Sequence, residues 1–263
     1  MIAASGWSLR SMQQSDVAAA IEVIEGLDED DAEEAAAMYA ESQVGHFVLG
    51  GPGEVKGVTG AVPIDGTEGA FMLAPTNVAE GVDQQWMARM IAELTEMLSE
   101  DGARKLFAEL SDYIDPDEGD VYRPLRRALA DRDFFEESRL EHFYDRDESQ
   151  IMMGLRLSEA NFQRSEPDDR PIRFTDIDEI AGTDGTFGLA WELDESADTM
   201  GPDDFRKVVD QVRQWEGRLI VIAFPTGLSK VDDTMRRCGL QFAGRLSDYY
   251  DTGVDQIRFQ FLV

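Results

Sequence analysis

The chain has 263 residues and carries 54 acidic against 24 basic side chains, a formal charge of −30. That balance excludes nucleic acid and anionic membrane surfaces as partners, and it draws cations such as basic amines. The apolar share, 43%, is ordinary for a globular protein, so the charge does not exclude a packed core. Only Lys56, Lys105, Lys207 and Lys230 are lysines, the other basic residues being arginine, and Asp outnumbers Glu. An acidic surface poor in lysine suits a solution of high salt, where screening removes self-repulsion. Cys238 is the one cysteine, so no disulfide forms within the chain. The sequence shows no signal-peptide core and no apolar run long enough to cross a bilayer, and a cytoplasmic protein is expected.

In chain order, Trp7–Met12 reads as a strand. Ser15-Asp16 then caps a helix carrying Val17, Ile21, Ile24 and Leu27 at helical spacing. Asp30–Glu41 reads as a second helix, and His46–Gly50 as a strand turning through Gly51-Pro52-Gly53 into Val55–Ile64. Asp65-Gly66 is a further turn, and Ala70–Pro75 a further strand. The clearest helix follows, with Met87, Met90, Ile91, Leu94, Met97 and Leu98 on one stripe and Gly102 closing it. Lys105–Leu110 is a strand, Asp112–Asp120 an acidic insertion, Tyr122–Ala130 a helix, and Ser138–Asp145 and Gln150–Leu157 are strands.

Residues 158–170 are polar and lack periodicity, and read as a linker. Thr186–Leu193 is then a strand. Asp203–Trp215 is a helix with Phe205, Val208, Val209, Val212 and Trp215 on one face. Leu219–Phe224 is a buried strand, Ser229–Cys238 a short helix, and Phe242–Tyr250 and Gln256–Val263 are closing strands. In the last of these Ile257, Phe259, Phe261 and Val263 alternate with Arg258, Gln260 and Leu262, which predicts one buried face.

The chain repeats itself. Arg139, Leu140, Tyr144, Asp145, Gln150 and Ile151 recur 106 residues later as Arg245, Leu246, Tyr250, Asp251, Gln256 and Ile257. Each copy follows a helix, a strand and a helix, so one supersecondary unit occurs twice.

The first half runs strand, helices, three meandering strands, helix, strand, helix, two strands. With Phe47–Ile64 as a central hairpin, Phe71–Leu94 as strand, loop and helix, and Phe134–Leu157 as a closing hairpin, it resembles the GNAT superfamily of acyl-CoA-dependent N-acyltransferases. The resemblance covers residues 6–157 and, more weakly, Leu219–Val263; tandem members include enzymes of the mycothiol-synthase type. It implies an α/β (α+β) fold with a mixed, mostly antiparallel sheet flanked by helices, duplicated with a shortened second copy. The modules are 1–157 and 171–263.

The resemblance also implies acetyl-CoA, or another acyl-CoA, as cosubstrate, with no metal. The acceptor is a small or basic amine. Its pantetheine would lie between two parting strands along Thr76, Asn77 and Val78, and its diphosphate on the helix start Asp83-Gln84-Gln85-Trp86-Met87-Ala88. There the family pattern Arg/Gln-x-x-Gly-x-Gly/Ala is kept only at Ala88; Asp83 and Trp86 depart from it. In the second half the matching loop, 194–204, holds five acids, and no CoA site is expected. The position of the family's tyrosine acid falls on Leu129 in the first half and Met235 in the second. Tyr122, as acid at the helix start, and Glu109 and Ser111, at the end of the strand beside the slot, are the catalytic candidates in its place. The alternative is a GNAT-like binding or regulatory protein that has lost its cofactor site. The sequence leaves open whether the modules pair within one chain or in a homodimer.

Overall fold

The computed structural model describes residues 7–25, 46–51, 54–117, 119–158, 168–193 and 201–263. The expected helix at 30–41 lies outside these residues, as do Leu27, Pro52-Gly53, most of the linker and the loop 194–200. The described residues divide into two compact units. One runs as far as Glu109 and adds Ile114–Phe135 and the chain from Met153 to 158; the other takes Leu110–Tyr113, Glu136–Met152 and the chain from Asp168 onward.

In the first unit β1 (Ser8–Ser11), β2 (His46–Gly50) and β3 (Gly57–Pro63) are antiparallel neighbours. The helix α1 (Val17–Glu25) buries Ala20, Val23 and Ile24 on Val48 and Val58. Its entry is fixed by Asp16, which accepts a forked pair of bonds from Arg10 at 2.6 and 2.8 Å and one from the Gln13 N–H at 2.8 Å. β4 (Ala70–Leu73) continues the meander and lies parallel to β6 (Lys105–Ser111) over three residue pairs, Ala70↔Lys105 to Met72↔Phe107. A parallel pair needs a crossover. Here it is α2 (Gln85–Glu100), which buries Trp86, Met87, Met90, Ile91, Leu94 and Leu98, while Met97 is half-buried at the margin. The helix α3 (Arg123–Ala130) buries Leu125, Ala128 and Leu129.

The second unit holds the hairpin of β7 (Phe135–Asp145) with the first half of β8 (Glu148–Arg156), and then β9 (Ile172–Glu179), β10 (Thr186–Leu193), β11 (Leu219–Pro225), β12 (Gln241–Asp251) and β13 (Val254–Leu262). β10 and β11 are again parallel over three pairs, Thr186↔Leu219 to Gly188↔Val221, and α4 (Pro202–Gln214) is the crossover. Phe205, Val209 and Val212 of α4 and Val231, Met235 and Cys238 of α5 (Val231–Cys238) cover Phe187, Leu189, Ile220, Ile222, Phe224 and Phe259. Burial pushes the Cys238 thiol pKa up, which keeps it protonated. The predicted stripe of α4 ends early: Trp215 is 48% exposed and stacks on Phe187 from the rim. The alternation of β13 holds, with Phe259 in the core and Gln260 buried on the other face, where it accepts the Glu141 N–H at 3.0 Å. β7 meets β12 at Ser138↔Gly244. A Cβ on Gly244 would stand 2.4 Å from Ser138 Cα, so this approach admits only glycine.

The two halves repeat down to their hydrogen bonds. The turns Ile64-Asp65-Gly66-Thr67-Glu68-Gly69 and Ile180-Ala181-Gly182-Thr183-Asp184-Gly185 are alike. In both, the threonine hydroxyl donates to the isoleucine carbonyl at 2.7 Å. The N–H groups of Arg104 and Arg218 donate to Gly69 and Gly185 at 2.7 and 2.8 Å, and their carbonyls accept the N–H groups of Leu157 and Val263. The left-handed residues correspond as well: Gly102 with Glu216, Asp133 with Gly239, His142 with Asp248. The described second copy starts at β9, the counterpart of β3. β9 was not foreseen; three acids and alternate exposure mask it.

Arg218 does more than its twin. Its guanidinium donates to the carbonyls of Asp184 and Tyr144 at 2.8 and 3.3 Å and to that of His142, so it holds β7 at its left-handed residue against the start of β11. Arg218→Ala strips these carbonyls of a charged donor and lowers the unfolding free energy by about 3 kcal/mol. Arg218→Lys recovers less than half, because an ammonium cannot fork; urea unfolding of both variants is the check. Asp16 gives a pH-dependent case. The bonds from Arg10 hold its carboxyl below the usual range, against burial. Its contribution is therefore complete above the unfolded value and lost as pH falls through the folded one. Asp16→Asn costs about 2 kcal/mol at pH 7. The gap to the native chain, measured in urea, closes below pH of about 4.

Candidate functional site

β4 and β6 part after Met72↔Phe107. The cause lies on the other side of β4. From Ala61↔Leu73 to Val58↔Asn77, β3 advances three residues while its partner advances four, so Ala74-Pro75-Thr76 contains one extra residue. Such a bulge bends a strand and sharpens its twist. It is pinned by the buried Thr76, whose hydroxyl donates to the Ala74 carbonyl at 2.9 Å and so accepts from Thr59 Oγ1 at 3.0 Å. Beyond it, β5 (Asn77–Val78) returns to β3, and Asn77 Nδ2 donates to the Val23 carbonyl at 2.9 Å. Val78 is buried opposite Gly57. Facing the gap from β6 are the buried Ala108 and then Glu109, which is exposed.

The first turn of α2 is closed on itself. Asp83 Oδ1 accepts the Gln85 N–H at 2.9 Å, the Asp83 carbonyl accepts that of Trp86 at 2.9 Å, and the Gln84 carbonyl accepts that of Met87 at 3.1 Å. These are the donors that a helix start offers to an anion. A carboxylate of the chain itself already stands there. Trp86 is buried, with the Arg89 guanidinium 5.0 Å from its ring centre. Ala88 is half-buried, and its carbonyl accepts from Arg132 Nε at 3.2 Å.

Tyr122 is the N-cap residue of α3 and is half-buried. Glu109 and Tyr122 belong to the first unit and Ser111 to the second. Ser111 is buried; its hydroxyl donates to Glu148 Oε1 and accepts the Tyr113 N–H at 2.8 Å. Among the described residues no group of three His, Cys, Asp or Glu side chains converges on a metal position, and no helix is long and apolar enough to cross a membrane.

No family model matches the sequence, and no curated protein does. Solved structures match. A GNAT-family structure from Desulfovibrio desulfuricans is 21% identical, with a TM-score of 0.50, and the match covers 58% of this chain and 99% of that one. The ribosomal-protein-S18-alanine N-acetyltransferase of Escherichia coli is 16% identical over 60% of this chain and 99% of its own, with a TM-score of 0.48. A Salmonella typhimurium structure solved with acetyl-CoA is 16% identical over 58% of this chain and 95% of its own, with a TM-score of 0.47.

The chain has the GNAT fold. A single GNAT domain accounts for a little over half of its length. In the GNAT element order β4–β5 is the strand before the crossing helix α2, and β6 is the strand across the gap. In the second half the same elements are β10, α4 and β11. At the start of α4 the N–H groups of Asp204 and Phe205 donate to the Gly201 carbonyl at 3.2 and 3.3 Å. Asp203 and Asp204 pair with Arg206 and Lys207 at 3.0 and 2.9 Å. Sequence reasoning missed the Thr59–Thr76 pin and the Ala74-Pro75-Thr76 bulge. Their signal was Pro75 within an apolar strand, since proline in a sheet marks an edge or a bulge.

Asp83 gives a direct test of the closed turn. Asp83→Ala removes the cap and costs about 1 kcal/mol. Asp83→Asn keeps the acceptor oxygen and costs less than half of that; thermal unfolding of the two variants is the measurement.

Proposed function

We propose that the chain is an N-acyltransferase of the GNAT type, moving an acetyl or other acyl group from acyl-CoA to a small or basic amine. The parting of β4 and β6 at a pinned bulge carries the reading, because it frees main-chain groups of the donor strand at the place where the fold admits a pantetheine chain. Residues 1–157 form the module that holds this slot, and 171–263 a shortened supporting module. Thr76, Asn77 and Val78 line the pantetheine end, and Asp83 to Ala88 the diphosphate end.

The two ends fit differently. The slot suits an extended chain. The start of α2 suits a diphosphate only if Asp83 gives up its bond to Gln85, and its charge opposes the phosphates. Acyl-CoA supplies an activated acyl group on sulfur. In this reading Glu109 takes the proton of the attacking amine, and the Tyr122 hydroxyl returns one to the departing sulfur. Ser111, tied to Glu148, is the third candidate, at the end of β6. The acidic surface concentrates a cationic acceptor near the protein. A second reading, a GNAT-like protein without catalysis, is favoured by one observation: the N–H groups of residues 85–87 are already occupied.

Calorimetric titration with acetyl-CoA, at low and high salt, separates the two. Binding with thermal stabilisation, tighter at high salt, supports the enzyme. Asp83→Asn tightens it about fivefold by removing one repulsive charge of about 1 kcal/mol, and Ala88→Trp abolishes it. No heat and no stabilisation of the folded chain at millimolar acetyl-CoA overturn the enzyme in favour of the second reading.

A further inference from the structure

The second unit has a parting of its own, and it is built differently. β10 and β11 separate after Gly188↔Val221. From Leu189↔Ile177 to Trp191↔Phe174, β9 advances three residues against two on β10, so here the extra residue lies on the neighbouring strand. Trp191 then reaches across the gap. Its indole Nε1 donates to the Ala223 carbonyl of β11 at 2.8 Å, and its ring packs on Phe224 with centres 4.8 Å apart. The indole closes the far end of what would be an open slot. What remains is a cavity of about 550 Å³.

Its walls are apolar: Leu140 and Val221, with Gly188, Ala190 and Ala223 leaving room between them, while Leu189, Ile222 and Phe259 border it from the core side of the sheet. In a chain with 54 acids, none of the lining residues is acidic. The one charged group is Arg258, beside the carboxamide of Gln256. The Arg258 guanidinium donates to Gln150 Oε1 at 2.6 Å and to Ser138 Oγ at 3.5 Å, which orients its plane. Gln256 Nε2 donates to Tyr250 Oη at 3.2 Å. A cavity of ligand size with apolar walls and one or two placed polar groups is the usual form of a small-molecule site.

We propose that this cavity binds a small carboxylic acid with an apolar body, the carboxylate on Arg258 and the body against Leu140, Val221 and Ala223. A guanidinium fork matches a carboxylate in shape and charge. A diphosphate would meet Asp203 and Asp204 at the start of α4. The bridge from Trp191 to Ala223 blocks a long threaded chain and leaves space for a compact ligand. The site is separate from the acyl-donor slot of the first unit and does not depend on its activity.

The test is calorimetry of the full chain with octanoate, with octanol as the uncharged counterpart. Octanoate binds one to one with a dissociation constant below about 1 mM, and octanol binds at least fivefold more weakly. These values set a floor of about 4 kcal/mol for the complex. Ala223→Leu, which fills the cavity, abolishes binding, and Arg258→Gln weakens it about tenfold. Saturating acetyl-CoA leaves octanoate binding unchanged. Absence of octanoate binding by the folded chain overturns the proposal without the use of any variant, and so does equal binding of octanol. Octanoate affinity unchanged in Ala223→Leu also overturns it. Displacement of octanoate by acetyl-CoA overturns it too, since the cavity would then be a thioester slot.

Discussion

Two parallel strand pairs, each three residues long, set the rest of this molecule. A parallel pair cannot be closed by a hairpin, so each commits the chain to a crossing helix, α2 in one half and α4 in the other. Each pair is started by the same device: a turn of the form Ile-x-Gly-Thr-Asp/Glu-Gly whose last glycine receives the main-chain N–H of an arginine. Each is ended by an extra residue, in the continuation of β4 itself in the first half and on the neighbouring β9 in the second. Between those two events lie only three pairs of residues, and past them the two strands of each pair no longer bond to one another. The usable space of both halves comes from that shortage of partners.

The halves fill the shortage in opposite ways. In the first the strands stay apart and the anion position at the following helix is taken by Asp83, a charge of the chain itself. In the second Trp191 spans the strands, and the acids of α4 are neutralised by Arg206 and Lys207. The charge of −30 is therefore unevenly spread. It is present at both helix starts and absent from the walls of the second-half cavity. Arg218 adds a structural asymmetry, since its guanidinium ties β7 to the start of β11 while Arg104 donates to the nearby Glu68 carbonyl.

Much of this was legible in the residues. The stripe of α2, the alternation of β13 and the match of Arg139–Ile151 with Arg245–Ile257 all gave the right elements, because period and packing agree there. The turn repeat escaped notice because its spacing differs. Thr67 and Thr183 are 116 residues apart, Arg104 and Arg218 are 114, and Arg139 and Arg245 are 106, the last step being the eight-residue excess of the acidic insertion. β9 was missed because a strand with one covered face and three acids looks like a loop. The closure of the α2 turn by Asp83 was half legible: an acid at a helix start is a cap by default, and its bond to Gln85 depends on backbone geometry that no spacing reveals. Trp191 gave no sign, because a tryptophan near the end of a strand reads equally as core or as rim.

The acid-free walls of the second cavity have a kinetic consequence. An anion diffusing toward a body of this charge climbs a repulsive potential until it is within contact range of Arg258, where the attraction begins. Dissolved salt flattens the long climb far more than it weakens the short final bond inside the cavity. Entry of a carboxylate should thus accelerate with ionic strength, the reverse of what is usual for a ligand held by an ion pair. The same surface speeds the approach of cations, so one molecule sorts its visitors by sign before contact.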